Sequence, residues 1–168
     1  MSEDVNLSGR IRRLPDGRCE GKLQRVFEGH DRAEVWQMLT DSMSLPQWIA
    51  SGTIEAHRGG KAHLDFQDSG ILIDSEVVEF DPPQALAYSW SSGNEPLRPL
   101  RWQLEDTAKG TQLTLTVGTP AGEDPAKACA GFEGHLEMLA AALEGVPIKF
   151  PFDLFLQARA AYTKQLEA

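Results

Sequence analysis

The best candidate for chemistry in this sequence is His135. Helical spacing places it on one face with Phe132 and Leu139, so its imidazole would lie among large apolar side chains. A histidine in such a place can act as the acid or base of a reaction. A single histidine on an apolar stripe is more often a hydrogen-bonded structural residue, however, and no serine, cysteine or metal triad accompanies this one. We therefore assign no catalytic residue and keep His135 as the one candidate.

Two acidic residues, Asp74 and Glu76, suggest a second arrangement. In the predicted strand from Ile71 to Phe80 they fall on the same side as the apolar residues Leu72 and Val78. Either a bulge shifts the register of this strand, which we favour, or both carboxylates point inward and form a pair.

Neither the cysteines nor the histidines form a pattern typical of a metal or redox site. Cys19 and Cys129 are the only cysteines and lie outside any CxxC spacing, so we interpret them as free, unreactive thiols in a reducing compartment. No two histidines have the short spacing that zinc sites usually show. The histidines are His30, His57, His63 and His135. We expect no metal and no cofactor.

The composition favours a single soluble domain. The chain has 168 residues, which is long enough for one substantial core and short for two. Its 16 basic and 25 acidic residues give a net charge of −9, and the arginines within Arg10–Arg13 are too few to track a phosphate backbone, so we expect no nucleic-acid binding. No apolar run approaches the roughly 20 residues of a membrane span, and the N-terminus has no signal-peptide pattern. We expect a cytoplasmic protein without a membrane partner.

A long helix from Asp124 to Gly145 must position His135. Asp124 can cap the first free N–H groups, Pro125 fits the first helical position, and Gly145 supplies a left-handed stop. Apolar residues between them recur at helical spacing on one stripe. That stripe contains Phe132, Leu136, Leu139 and Leu143, widened by Gly131, His135, Met138 and Ala142. The helix must therefore pack on a large apolar surface.

The first part of the chain supplies a hairpin and two short helices. Strands at Gly9–Leu14 and Arg18–Phe27 are joined by Pro15-Asp16-Gly17, a tripeptide typical of a tight turn. A capping box predicts a helix over Arg32–Thr40, and the apolar residues of Ser42–Ile49 indicate a second one. Helices this short must pack against a sheet.

From Thr53 to Val117 apolar and polar residues alternate, which is typical of strands with one wet face. Turn signals such as Asp68-Ser69-Gly70 separate the segments, and their short connections favour an antiparallel arrangement. In one segment we assign Ala85, Ala87 and Ser89 to the wet face. The core-facing sets are Ala62, Leu64 and Phe66; Leu86, Tyr88 and Trp90; Leu100, Trp102 and Leu104; and Leu113, Leu115 and Val117.

The chain continues past the long helix. After a break at Pro147–Pro151, Asp153 can cap a final helix whose apolar stripe is Phe155, Ala158, Tyr162 and Leu166. The start of this segment is strongly apolar, with Phe150, Phe152, Leu154, Phe155 and Leu156 clustered. These side chains must be covered either by the same domain or by a second copy, in which case the segment would form a homodimer.

Several phrases of the sequence occur in an order typical of one family. They are Ala33–Asp41 followed by Trp48, then Gly59-Gly60, Val77–Leu86, Tyr88–Trp90, Trp102–Leu104, Gly110–Thr116, Gly131-Phe132 and Leu139–Gly145. With them the chain resembles the activator of heat-shock protein 90 ATPase homologue family over about residues 9–146. That family belongs to the START-like, Bet v 1-like (SRPBCC) superfamily.

The resemblance implies an α+β fold of the helix-grip type. In that fold a curved antiparallel β-sheet carries two short helices, and a long C-terminal helix packs on its concave face. We accordingly expect a START-like domain over residues 9–146 and a helical extension over residues 147–168. The extension lies outside the usual family pattern and can be specific to this protein.

The resemblance also implies a hydrophobic cavity between the sheet and the long helix. Large rings on both walls support it, because ligand pockets are mostly apolar, but the same rings can simply fill the space as a solid core. We favour the cavity. Its predicted lining is Trp48, Phe66, Tyr88, Trp90, Trp102, Phe132, His135, Met138 and Leu139, with Gly131 also facing it.

Three functions follow from these expectations. The first is a module that binds an apolar or aromatic small molecule without a cofactor. The second is an enzyme in the same cavity, a cyclase or hydrolase with His135 as its acid or base. The third is an interaction module that acts on a chaperone or on a second copy of itself, although the chain resembles only the C-terminal part of the eukaryotic chaperone activator.

Overall fold

The structure begins with the predicted hairpin. Strand β1 (Gly9–Arg13) pairs antiparallel with β2 (Cys19–Glu28). The turn between them contains Gly17 with a φ of 91°, a left-handed conformation that glycine adopts without steric cost. The hairpin prediction is therefore confirmed.

The computed structural model describes residue 7 and residues 9–66 and 69–167. One prediction falls partly outside the described residues, the turn Asp68-Ser69-Gly70, of which Asp68 is not described.

The first short helix is as predicted and the second is not. Helix α1 (Arg32–Thr40) starts with a capping box, in which the Asp31 carboxylate accepts the Glu34 N–H at 2.9 Å and the Glu34 carboxylate accepts the Asp31 N–H at 3.3 Å. The helix predicted over residues 42–49 is only a 3-10 turn over Leu45–Gln47. Pro46 lies inside it and supplies no N–H with which to continue an α-helix.

In the described part of the chain, nine strands form two antiparallel sheets. The remaining strands are β3 (Ser51–Ile54), β4 (Lys61–Phe66), β5 (Ile71–Glu76), β6 (Glu79–Asp81), β7 (Ala85–Ser89), β8 (Pro99–Asp106) and β9 (Gly110–Thr119). The larger sheet has the order β1-β2-β9-β8-β7-β6 and the smaller one the order β3-β4-β5. A backbone hydrogen bond of 3.0 Å joins the two sheets, from the Asp74 N–H of β5 to the carbonyl of Ser91, which follows β7.

The predicted strand over residues 71–80 is interrupted at Val77 and Val78, between β5 and β6. Asp74 and Glu76 are both exposed, so the inward carboxylate pair is wrong. Beyond the interruption Phe80 contacts Trp36 of α1 on the core side, with ring centroids 5.5 Å apart. Even-numbered residues therefore face away from the core before the interruption and toward it afterwards. This change corresponds to the register shift that we favoured.

Alternation predicts the buried face of β4, β8 and β9 correctly but not that of β7. Ala85 and Ala87 were assigned to the wet face, yet both are buried. The register places Ala87 between Glu79 and Arg101, whose side chains form an ion pair at 2.8 Å. A small side chain in an inner strand is covered by its longer neighbours, so alternation alone overestimates its exposure.

The long helix is α2 (Pro125–Leu143), and its predicted caps are confirmed. The Asp124 carboxylate accepts the N–H groups of Ala126 and Lys127 at 3.0 and 3.3 Å, and Gly145 follows the helix with a φ of 78°. α2 packs against β2 and β9, and its buried residues join one core with the inward side chains of both sheets. The fold is α+β, with a long helix held by an antiparallel sheet in a helix-grip arrangement.

The C-terminal helix α3 (Phe152–Glu167) packs on α2 and β1. It begins one residue before Asp153, which therefore lies in its first turn and not at its cap. Ala158 and Tyr162 are fully buried, as the stripe predicted. The Gln165 side chain also bonds the backbone of β1, accepting the Ile11 N–H at 2.7 Å.

The buried carboxylate of Glu133 links α3 to α2 and β2. The Glu133 carboxylate of α2 is 2% exposed and lies 3.2 Å from the Arg25 guanidinium of β2. It also accepts the Tyr162 hydroxyl at 2.6 Å. Burial, and then the neighbouring Glu133 charge, raise the pKa of Tyr162, so this phenol stays protonated and donates. One carboxylate thus joins three elements.

Candidate functional site

His135 lies in the middle of α2 with one ring nitrogen fixed. Its Nδ1 is 2.9 Å from the carbonyl oxygen of Trp48. Because a carbonyl oxygen only accepts, Nδ1 carries the proton and Nε2 carries a lone pair. Burial lowers the pKa of His135 and so favours the neutral ring. The hydrogen bond to the Trp48 backbone opposes this shift but is the smaller effect. Within the described part of the chain Nε2 has no hydrogen-bond partner.

The ring of His135 belongs to a series of aromatic side chains in mutual contact, which we call the aromatic arc. Ring centroids are 5.9 Å apart for Phe66 and His135, and 5.3 Å apart for His135 and Phe150. Most neighbouring rings meet edge to face or tilted, the arrangements that aromatic pairs prefer. The aromatic arc consists of Phe66, Trp90, Phe132, His135, Phe150 and Phe155.

Five residues of the aromatic arc, all except Phe150, line a cleft of about 880 Å³. We call it the α2 cleft. One wall is α2 with Gly131, another is β5 with Ile71, Leu72 and Ile73, and Phe155 at the start of α3 closes one side. Its inner part is therefore apolar and aromatic, with the His135 ring among the few polar groups there.

Two glycines of α2 have opposite surroundings at this place. A Cβ atom built on Gly131 would meet no heavy atom within 4 Å, so the cleft leaves open space there. A Cβ atom built on Gly134 would lie 2.6 Å from the ring of Phe150. Because Gly134 has no side chain, the Phe150 ring can pack directly on the helix there. No packing contact requires a glycine at position 131.

The rim of the α2 cleft is charged and mostly paired. Arg98 binds Glu123 with two hydrogen bonds of 2.8 Å, and Asp124 lies 3.0 Å from Arg159. The hydrogen bond from Arg98 lowers the pKa of Glu123, so this carboxylate is ionised at neutral pH. Lys127 adds an exposed positive charge. Charge is thus confined to the mouth, outside the aromatic part.

The structure brings together only some of the predicted lining residues. Phe66, Trp90, Phe132 and His135 line the α2 cleft, as does Gly131. The other predicted residues do not line it: Trp48, Tyr88, Trp102 and Leu139 are buried in the core, and Met138 packs partly buried against that core.

The packing of Trp48 and Trp102 explains why they do not line the cleft. The Trp48 indole donates to the Met38 carbonyl at 2.6 Å and its ring meets that of Trp102 edge to face at 5.4 Å. Burial raises the pKa of Tyr88, another of the predicted residues now in the core. These rings fill the space between the sheet and α2, which was the alternative to a cavity at this place.

Sequence reasoning missed several residues of the cleft. Phe155, which lines it, was noticed only as part of an apolar cluster with Phe150, because helical and strand spacing do not show that the chain after α2 turns back onto His135. Ile71 and Leu72 were assigned to an irregular strand, and the Arg98–Glu123 pair at the rim carries no sequence signal. The other apolar side chains of the C-terminal cluster are not all covered: Phe152 is 60% and Leu156 48% exposed.

A second histidine, His30, links the start of α1 to the end of α2. Nδ1 of His30 is 3.0 Å from the Glu34 carboxylate of α1, and its Nε2 bonds the Glu144 carboxylate at the end of α2. The hydrogen bond with Glu34, and then that with Glu144, raise the pKa of His30. His30 does not line the α2 cleft, so we interpret it as a structural link.

Among the residues that the structure describes, no three His, Cys, Asp or Glu side chains are grouped so that they could hold a metal ion. No helix in the described ranges is both long enough and apolar enough to cross a bilayer.

Comparison with known proteins gives one family and several similar structures. The family model described as Activator of Hsp90 ATPase homolog 1-like protein matches residues 30–144. No curated protein matches the chain. The crystal structure of CalU16 from Micromonospora echinospora is 18% identical with a TM-score of 0.78, covering 99% of this chain and all of CalU16. A conserved protein of unknown function from Enterococcus faecalis, EF2215, is 17% identical with a TM-score of 0.75 over 95% of this chain and 90% of its own.

A third similar structure is that of DynU16, a protein in the dynemicin biosynthetic locus. It is 29% identical, with a TM-score of 0.68, over 75% of this chain and 48% of DynU16. The match to CalU16 extends over 99% of this chain, whereas the family model ends at residue 144, before α3 begins. That the segment after Pro147 is specific to this protein stays a prediction.

Proposed function

Since this chain belongs to the Activator of Hsp90 ATPase homolog 1-like protein family, with residues 30–144 matching the family model, we propose that it binds an apolar or aromatic small molecule in the α2 cleft. The helix-grip fold is consistent with a ligand-binding domain. The proposal needs no cofactor and assigns no reaction.

The observation that carries this proposal is the open space at Gly131. A glycine inside a helix destabilises it by roughly 0.5–1 kcal/mol relative to alanine, chiefly because glycine loses more conformational freedom when the chain folds. No neighbouring atom would obstruct an alanine side chain at this position. A glycine here lowers the stability of the helix, but it leaves room for a bound molecule within the aromatic wall of the cleft.

Two further observations support the proposal. A cleft of about 880 Å³ falls within the roughly 300–1,000 Å³ of ligand pockets, and such pockets are lined mostly by apolar and aromatic side chains with few polar groups. DynU16, which is 29% identical over three quarters of this chain, comes from a biosynthetic locus and thus from a setting of small-molecule chemistry.

The test fills the cleft without disturbing the core. N-phenyl-1-naphthylamine, a neutral apolar dye that fluoresces when it leaves water, is titrated into the wild type and into Gly131→Leu. We expect saturable one-to-one binding by the wild type and at least about tenfold weaker binding by Gly131→Leu, since the leucine side chain occupies the space of the ligand.

Met43→Ser is the matched control, because Met43 is 81% exposed and lies outside the cleft. It should bind the dye like the wild type. Absence of saturable binding by the wild type, across a panel of neutral aromatic compounds as well as the dye, would contradict the proposed function. Equal binding by Gly131→Leu, with its fold intact by circular dichroism, would contradict the location.

A further inference from the structure

We infer that the molecule held in the α2 cleft carries an aromatic hydroxyl group, which donates a hydrogen bond to Nε2 of His135. This inference rests on the proposed function, since it names the chemical class of the ligand for the same cleft.

The first step is the fixed orientation of the His135 ring. Its Nδ1–H donates to the Trp48 carbonyl at 2.9 Å. Trp48 is itself held, because it is 1% exposed and its indole N–H donates to the Met38 carbonyl at 2.6 Å. The two nitrogens of an imidazole point away from each other, so a ring bound to the core through Nδ1 turns Nε2 away from that core. Nε2 is therefore a positioned acceptor.

The second step is that this acceptor is unsatisfied. In the described ranges of the chain, no side chain or backbone group donates to Nε2. Its surroundings are the rings of Phe66, Phe132 and Phe150, none of which can donate a strong hydrogen bond. A polar group removed from water without a partner costs free energy, so a ligand that donates to Nε2 regains what an apolar ligand loses.

The third step identifies the donor. A carboxylate would place its lone pairs against that of a neutral imidazole, and an ammonium group would lose its hydration among the aromatic rings. A hydroxyl group donates without carrying charge. A hydroxyl on an aromatic ring is the best match, because the ring can pack edge to face against Phe66, Trp90 and Phe132 and extend into the space at Gly131.

The test compares two probes that differ in one donor. 2-Naphthol and 2-methoxynaphthalene share the same ring system, but only 2-naphthol has a hydroxyl hydrogen to donate. Their dissociation constants are measured by calorimetry for the wild type and for His135→Asn. The asparagine amide N–H can replace Nδ1–H toward Trp48, whereas its amide oxygen is too short to reach the position of the acceptor Nε2.

We expect the ratio of the two constants to favour 2-naphthol by about 3- to 10-fold more in the wild type than in His135→Asn, the range of one uncharged hydrogen bond. Comparing ratios between the two proteins removes the intrinsic differences in size and hydration between the probes. A ratio that is the same in both proteins would overturn the inference while leaving the proposed function in place. Failure of both probes to bind a wild type that does bind N-phenyl-1-naphthylamine would also overturn the inference alone, and a wild type that binds none of these compounds would overturn both.

A measurement on the wild type makes the test independent of the variant's folding. The ¹⁵N resonance of His135 Nε2 should shift on addition of 2-naphthol, because a lone pair that accepts a hydrogen bond changes its nitrogen shielding, while 2-methoxynaphthalene should leave it near its free position. A change confined to Nδ1, or equal changes with both probes, would overturn the inference.

Discussion

The same substitution at two glycines three residues apart in α2 should have opposite effects on stability. Both Gly131 and Gly134 lie inside the helix, so replacement by alanine gains a similar helix propensity of roughly 0.5–1 kcal/mol at each position. The two sites differ in what the new Cβ atom meets. At Gly131 it meets nothing within 4 Å, whereas at Gly134 it lies 2.6 and 2.8 Å from two atoms of the Phe150 ring.

Gly131→Ala should therefore stabilise the protein by roughly 0.5–1 kcal/mol, which for 168 residues corresponds to a rise in Tm of about 1–4 °C. Gly134→Ala gains the same propensity but forces the Phe150 ring away from the helix. Inserting an extra methyl group into a packed site typically costs about 1–3 kcal/mol, so the net effect should be a loss of up to about 2 kcal/mol.

The assay is urea unfolding followed by circular dichroism, with a thermal scan of each variant. The double variant Gly134→Ala with Phe150→Leu separates the clash from other effects, because a smaller side chain at position 150 relieves it. The loss caused by Gly134→Ala should be smaller in the Phe150→Leu background than in the wild type. Stabilisation by Gly134→Ala, or destabilisation by Gly131→Ala, would show that the surroundings of these glycines differ from those described.

Four further predictions concern the buried and charged groups. The carboxylates of Glu34 and Glu144 raise the pKa of His30 in the folded state. Its contribution to the free energy of unfolding is therefore full below the unfolded pKa of about 6.5 and is lost as the pH rises through the raised value. His30→Gln should remove this part of the pH profile, measured by urea unfolding. Burial lowers the pKa of His135, so stability should decrease as the pH falls below about 6.5, where the unfolded state binds the proton first; His135→Asn should flatten that acid side, and an unchanged slope would contradict the assigned burial. Tyr162→Phe removes the donor to the buried Glu133 and should cost about 1–3 kcal/mol in urea unfolding, whereas the matched deletion of an exposed side chain by Thr163→Ala on the same helix should cost under about 0.5 kcal/mol. If a second copy covers the exposed apolar side chains of the C-terminal segment, the double variant Phe152→Ser, Leu156→Ser should lower the mass measured by sedimentation equilibrium from that of a dimer to that of a monomer, and a wild type that is monomeric at high concentration would exclude this dimer.

The sequence by itself determined the elements that carry short-range signals. Asp124, Pro125 and Gly145 define the ends of α2 because capping depends on the few residues that surround a helix terminus. Alternation determined which side chains of β4, β8 and β9 face inward, since the period of a strand is set by its own backbone. The stripe that carries Phe132 and His135 followed in the same way.

Only the tertiary structure decided which inward-facing rings line the α2 cleft and which fill the core. Trp102 and Trp90 both face inward, yet Trp102 is buried against Trp48 while Trp90 lies beside Phe132 in the cleft. That difference depends on the curvature of the sheet and on where α2 crosses it, and both are set by packing between segments far apart in the chain.

The polar role of His135 was decided at the same level. Its position on the helix could be predicted, but the Trp48 carbonyl that fixes its tautomer lies 87 residues away along the chain. The Phe150 ring that contacts it arrives from a segment beyond the end of the helix. A sequence period reports which face a residue occupies, whereas the chemistry of that residue depends on partners brought to the face by the fold.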